Sequence, residues 1–321
     1  MPLRQGLIAS PNSKFEAQET VMPVRLGINP ITWTNDDAPE LGGDTPLEVC
    51  LAETKLAGYA GTELGGKFPR TSAELRPILL RHGLALVSGW YDGRCAEKAV
   101  TAEMEAITPH LQLLKDFGCT HAVYADTSLG RHGAIWEPIS KRPVLPAADW
   151  PAYGKKLTAL AERMANFGVG MAFHHHMGTI VETDAEVDLL MRHTGPAVGL
   201  LYDTGHSAFS GGDPVALLKR HIGRIVHVHC KDTRLVVLER ARREDLSFMD
   251  AVMAGIFTVP GDGNIDYVTI LKMLADHDYA GWIIVEAEQD PNKAHPLTYA
   301  KLGFGNLRRL AAEAGFTVSD V

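Results

Sequence analysis

Phe173-His174-His175-His176-Met177-Gly178 cuts short an apolar run, and the same break recurs at Tyr202-Asp203-Thr204-Gly205-His206, Val226-His227-Val228-His229 and Val285-Glu286-Ala287-Glu288. Each polar cluster closes a segment that reads as a buried strand. Four strands ending in His, Asp or Glu aim hard ligands at one point, provided that they are parallel neighbours in one sheet. A divalent-metal site is built that way.

Outward from these strands, short apolar runs alternate with longer amphipathic stretches from Val24 onward. The alternation is that of βα units on a parallel sheet, and about eight pairs fit the periodicity. Strands are expected at 25–29, 61–64, 85–88, 121–124, 170–174, 198–203, 224–229 and 282–286. Helices are expected at 46–57, 72–81, 96–117, 150–167, 184–193, 214–220, 266–277 and 298–314. Thr45-Pro46 and Asp213-Pro214 place a cap residue before a proline at the first helical position, while Gly58, Gly83, Gly118 and Gly168 stop helices. Gly27-Ile28-Asn29-Pro30 does not open into a GxGxxG loop, so a dinucleotide-binding sheet loses ground. Eight units without that loop predict a (β/α)8 TIM barrel, with catalytic groups at the C-terminal strand ends. Residues 1–22 read as a loose arm and 23–321 as a single barrel domain. An insertion at about 233–262 would lie over the mouth, either as a lid or as a solvated excursion.

The 321 residues carry a formal charge of −8 and 45% hydrophobic side chains. No basic stripe appears, which argues against a nucleic-acid surface. Cys50, Cys95, Cys119 and Cys230 lack CxxC spacing, so neither a disulfide framework nor a thiolate zinc site is indicated. With no secretory core and no long apolar run, the expected location is cytoplasmic, away from any membrane. A homo-oligomer is compatible with the composition.

Residues two apart share a strand face, so His174 and His176 look into the barrel together, as do His227 and His229, and Glu286 and Glu288. One inward residue from each of the last four strands gives His174, Asp203, His229 and Glu286. A mixed imidazole and carboxylate set suits manganese, cobalt, iron or zinc better than calcium or magnesium. A lone strand-end His is more often a hydrogen-bonded core residue, and a lone Asp or Glu is often a cap. Co-occurrence shifts the balance, because carboxylates buried side by side repel without a cation. Asn29, Trp33, Glu63, Lys67, Trp90, Tyr91 and Asp126 are further candidates for the mouth. Lys67 and Lys231 could stabilise an enolate or donate a proton, and His206 could carry one.

Six stretches also carry a family resemblance: Gly27-Ile28-Asn29-Pro30-Ile31-Thr32-Trp33, Asn35-Asp36-Asp37 with Leu41 to Glu48, Glu63 to Pro69, His174 to Thr179, Asp203-Thr204-Gly205-His206, and Glu286 to Pro291. The chain resembles the myo-inosose-2 dehydratases, within the xylose-isomerase-like group of metal-dependent TIM barrels, from Val24 to about Gly315. The resemblance implies elimination of water from a cyclic polyol ketone, 2-keto-myo-inositol (scyllo-inosose), giving a trihydroxycyclohexane-1,2-dione. It implies manganese or cobalt as the ion and glutathione as a further requirement, for which no residue signal exists. Isomerases and epimerases of the wider group carry Glu, Asp, His and Glu on strands five to eight. Asp203, His229 and Glu286 match the last three, and His174 stands where a Glu is expected, which leaves either His174 or His176 to meet the metal. The implied bases are Glu286, His176 and His206, and the implied acids His206 and Lys67; Asn29, Trp33, Glu63 and Lys231 would bind substrate.

Three rivals remain. An isomerase or epimerase of the same barrel group would share the enediolate without losing water. A metal-cluster endonuclease would need more ligands and a basic face. A non-catalytic sugar-binding barrel would hold ligand without turnover.

Overall fold

In the computed structural model, which describes residues 22–128 and 134–319, the apolar runs become strands β1 (Met22–Ile28), β2 (Gly61–Leu64), β3 (Ala85–Gly93), β4 (His121–Asp126), β5 (Gly170–His174), β6 (Val198–Asp203) and β7 (Ile225–Cys230). After the short β8 (Asp232–Thr233) and β9 (Phe257–Thr258) come β10 (Gly281–Val285) and β11 (Phe316–Val318). Strands β1 to β7 and β10 pair in parallel in chain order, and β10 closes on β1 through Val24↔Gly281 to Ile28↔Val285. The result is the expected eight-stranded barrel. Strand β11 adds a ninth member outside the closed ring, paired with the start of β1. The expected arm lies outside the described residues except for Met22, which opens β1.

The strands are buried on both faces, as β6 shows along its whole length. Val123, Ala172 and Leu201 fill the barrel interior beside Trp90 and Val226, while a larger apolar layer joins strands to the surrounding helices. Small residues make that interior possible. A Cβ on Gly61 would lie 2.7 Å from Trp282 and 2.9 Å from the Ala85 carbonyl oxygen. Helix caps set the connections: Thr71 accepts from the Glu74 amide, Thr183 and Glu186 form a reciprocal capping box, and Asp213 caps Pro214–His221. The first helix differs from expectation. It begins at Leu47 with Pro46 in the cap position and no side-chain cap, so Thr45 does not serve there.

The segment after β7 folds rather than wandering. The Asp232 carboxylate accepts from the amides of Thr233, Gly261, Gly263 and Ile265, which pins both ends of the excursion. Helices Leu235–Glu244 and Phe248–Met253 then bury Leu238, Phe248, Met249 and Val252 against Phe209, Phe257, Met177 and Ile135. This second apolar cluster reaches His176 and His206 through Phe248, so the segment packs onto the barrel instead of standing in solvent.

Gly61→Ala should lower stability by about 1–3 kcal/mol, because backbone stands on one side of the added methyl and a tryptophan on the other. Urea denaturation measures it, and an unchanged midpoint would show that the interior has slack there.

Candidate metal centre and active site

His174 ends β5, Asp203 ends β6, His229 lies near the end of β7 and Glu286 directly follows β10. Their ligand atoms all fall within 4.8 Å of one another, and all four residues are buried. The Nε2 of His174 is 3.7 Å from Asp203 Oδ2, which is also 3.6 Å from His229 Nδ1, and that nitrogen is 2.9 Å from Glu286 Oε2.

Hydrogen bonds assign the ring nitrogens. His174 gives Nδ1–H to the His175 carbonyl at 2.6 Å, which leaves its lone pair on Nε2, the atom facing the cluster. His229 points Nε2 at Glu63 (3.2 Å to Oε1), leaving Nδ1 for the cluster. Asp203 divides its carboxylate: Oδ1 accepts from the His206 amide at 2.8 Å and caps helix Thr204–Phe209, while Oδ2 is buried without a hydrogen-bond partner. An orphaned carboxylate oxygen beside two imidazole lone pairs and a second carboxylate fits a divalent cation. His174 enters this set and His176 does not.

The charges around the cluster favour a cation, which on His229 is a proton that a metal ion would displace. Burial disfavours a charged His229 ring, but Glu63 and Glu286 outweigh it and hold the ring well above the usual histidine range. Burial also works against the Glu286 carboxylate, yet Lys231 and His229 keep it well below the usual range. Burial, followed by the neighbouring His229 and His176, pushes His174 well below the usual range, so it presents a neutral ring. The surroundings ask for positive charge.

Above the cluster opens a cleft of about 540 Å3, with Asn29, Trp90, His176, Glu286 and Glu288 among its lining. Trp90 packs edge-on to His174 and His176, with centroids 5.5 and 5.2 Å away. His176 and His206 lie ring to ring at 4.2 Å, and Phe248 of the insertion stacks on His206 at 6.0 Å. Lys231 is fully buried, with Nζ 3.0 Å from His206 Nε2, 3.2 Å from Glu286 and 3.5 Å from Glu288. Burial opposes its charge, but Glu286 and Asp203 prevail and raise its pKa. Its stem needs room, and Gly205 provides it: a Cβ there would lie 2.5 Å from Lys231 Cγ.

Comparison with known proteins fits this architecture. The model of the xylose isomerase-like TIM barrels matches residues 51–310. The chain belongs to that family. It is 68% identical to the rhizopine catabolism protein MocC of Rhizobium meliloti, over 94% of this chain and 93% of that one. To an inosose dehydratase of Geobacillus thermodenitrificans it is 43% identical, over 86% and 94% respectively. Within the family it therefore belongs to the inosose dehydratases, enzymes of the hydro-lyase class. A crystal structure of IOLI protein with a bound zinc atom shares the fold, with a TM-score of 0.60, 17% identity and 90% and 99% coverage.

In this inosose dehydratase barrel, several residues expected at the mouth stand elsewhere. Glu63 lies behind the cluster instead of facing substrate, because its carboxylate accepts from Asn29 (2.8 Å), His227 (2.8 Å) and His229. Despite burial, His229 and His227 draw its pKa down to about 2. Trp33 is buried with Nε1 on Glu53, and Lys67 at the rim gives its ammonium to the carbonyls of Gly42, Gly43 and Thr45. Asp126 caps turns by accepting from Ala96 and Ser128, and Tyr91 stacks on Tyr124. Sequence reading left Glu288 and Asn35 without a role, although Glu288 shares a strand face with Glu286 by the two-residue rule and Asn35 sits in a quoted motif. Asn35 Nδ2 donates to Glu288 Oε1 at 3.0 Å.

Glu63→Gln should weaken divalent-metal affinity roughly 10–100-fold by loosening His229; titration with manganese followed by calorimetry measures this, and unchanged affinity would remove Glu63 from the support of the site. Gly205→Ala should displace Lys231 and lower turnover with the fold intact, as read by circular dichroism beside an activity assay.

Proposed function

We propose that this chain is a metal-dependent dehydratase that eliminates water from 2-keto-myo-inositol to give a trihydroxycyclohexane-1,2-dione. The observation that carries the reading is the buried His174, Asp203, His229 and Glu286 set beneath a polar cleft. These four residues would hold manganese or cobalt. A bound ion would supply Lewis acidity that eases proton loss beside the ketone.

The rest of the chemistry falls to the chain. His176 lines the cleft and gives Nδ1–H to the Met177 carbonyl at 2.8 Å, so its ring lone pair is on Nε2. In the proposed path Nε2 takes the proton from the α-carbon, leaving an enediolate, and returns it to the β-hydroxyl, which departs as water. The Lys231 contact to His206 and the aromatic wall of Trp90 and Phe248 keep the histidine pair in place. The enzyme is proposed to work in the cytoplasm. Four buried free cysteines support this, as does the lack, among the described residues, of any helix long and apolar enough to cross a membrane.

The higher identity to the rhizopine protein favours a second reading, in which the same elimination acts on a cyclic ketone arising in rhizopine breakdown.

Metal-stripped protein is to be incubated with 2-keto-myo-inositol, with and without manganese or cobalt and with and without glutathione. Product is followed by absorbance and mass. Loss of one water only with metal is expected, and His176→Ala should cut kcat by about 100-fold or more. Isomerisation without mass loss would move the enzyme to the epimerases, and turnover by the stripped protein would end the metal reading.

A further inference from the structure

Glu288 is fully enclosed at the inner wall of the cleft and belongs neither to the ligand set nor to the proposed proton path. Its position is unusually well determined. Asn35 donates Nδ2 to Oε1 at 3.0 Å, and Asn35 is itself locked because its Oδ1 accepts from the amides of Asp37 (2.9 Å) and Ala38 (3.1 Å). From the other side the Lys231 ammonium stands 3.5 Å from Oε2. A carboxylate offers about four lone-pair sites. Asn35 and Lys231 engage two of them, so acceptor capacity is left on a residue that lines the cleft. Two carboxylate oxygens side by side match a pair of neighbouring ring hydroxyls, and a rigid acceptor distinguishes a substrate carrying those hydroxyls from one lacking them.

We propose that Glu288, positioned by Asn35, is a specificity-determining residue that accepts hydrogen bonds from ring hydroxyls of a cyclic polyol, on carbons away from the reacting pair. The inference rests on the polyol-ketone reading above and names the part of the substrate that the metal set and His176 do not handle. Asn35 acts through Glu288 and touches the ligand only indirectly.

The test separates binding from chemistry by using myo-inositol, which has no ketone and cannot be dehydrated. Calorimetry on the metal-loaded protein compares wild type with Glu288→Gln. The variant should bind myo-inositol about tenfold or more weakly, since the amide offers one acceptor oxygen in place of two. With 2-keto-myo-inositol, KM should rise by a similar factor while kcat changes less than about threefold. A second check varies the ligand: among monodeoxy-inositols, one should lose a comparable factor on wild type, and Glu288→Gln should impose no further loss on that compound. Equal binding by both proteins, no myo-inositol binding by wild type, or a fall in kcat at unchanged KM would overturn the assignment. If myo-inositol binds through Glu288 but the ketone is not dehydrated, the reaction reading fails and the hydroxyl-recognition residue stands.

Discussion

Four buried acidic side chains, Glu63, Asp203, Glu286 and Glu288, are strung along the imidazole of His229 and the ammonium of Lys231. At such separations in a poorly solvated interior, like charges repel strongly and unmatched charge is costly to bury. One permanent ammonium does not balance that acidic set. The remaining deficit is what makes a divalent ion the natural occupant beside Asp203 Oδ2, and much of the surrounding structure keeps that deficit in place. Gly205 makes room for the Lys231 stem, Asn29 and His227 saturate Glu63, and Asn35 steadies Glu288.

The fold was legible because its signals are local. Apolar runs broken by glycine caps mark eight βα units, and the two-residue face rule collects His174, Asp203, His229 and Glu286 without any knowledge of loops. Its limits are equally physical. Strand β3 runs on to Gly93 because Trp90 to Gly93 pair in register with β4, a gain that depends on the neighbour and not on propensity. The three residues of β11 are too short for any periodicity to register.

Side-chain destinations were harder to read, since they depend on distances across the barrel. Glu63 lies 166 residues from His229, and closure of the ring through β1 and β10 brings their strands within three places of each other. Asn35 and Glu288 are 253 residues apart. Lys67 and Trp33 are governed by nearer neighbours instead: Lys67 lines the cleft with its ammonium on loop carbonyls, and Trp33 is buried on Glu53. The insertion was readable as an interruption. That it ends in Phe248 against His176 and His206 reflects packing between segments far apart in sequence.

The two oxygens of Asp203 join the cluster to a short piece of backbone. Oδ1 holds the first turn of helix Thr204–Phe209 through the His206 amide while Oδ2 faces the ligand set. Any change in charge at Oδ2 alters how firmly Oδ1 accepts. Local opening of that turn is therefore coupled to whatever the cluster holds, and the exchange rate of a single amide hydrogen becomes a gauge of ion occupancy, sensitive well below the level at which the barrel itself unfolds.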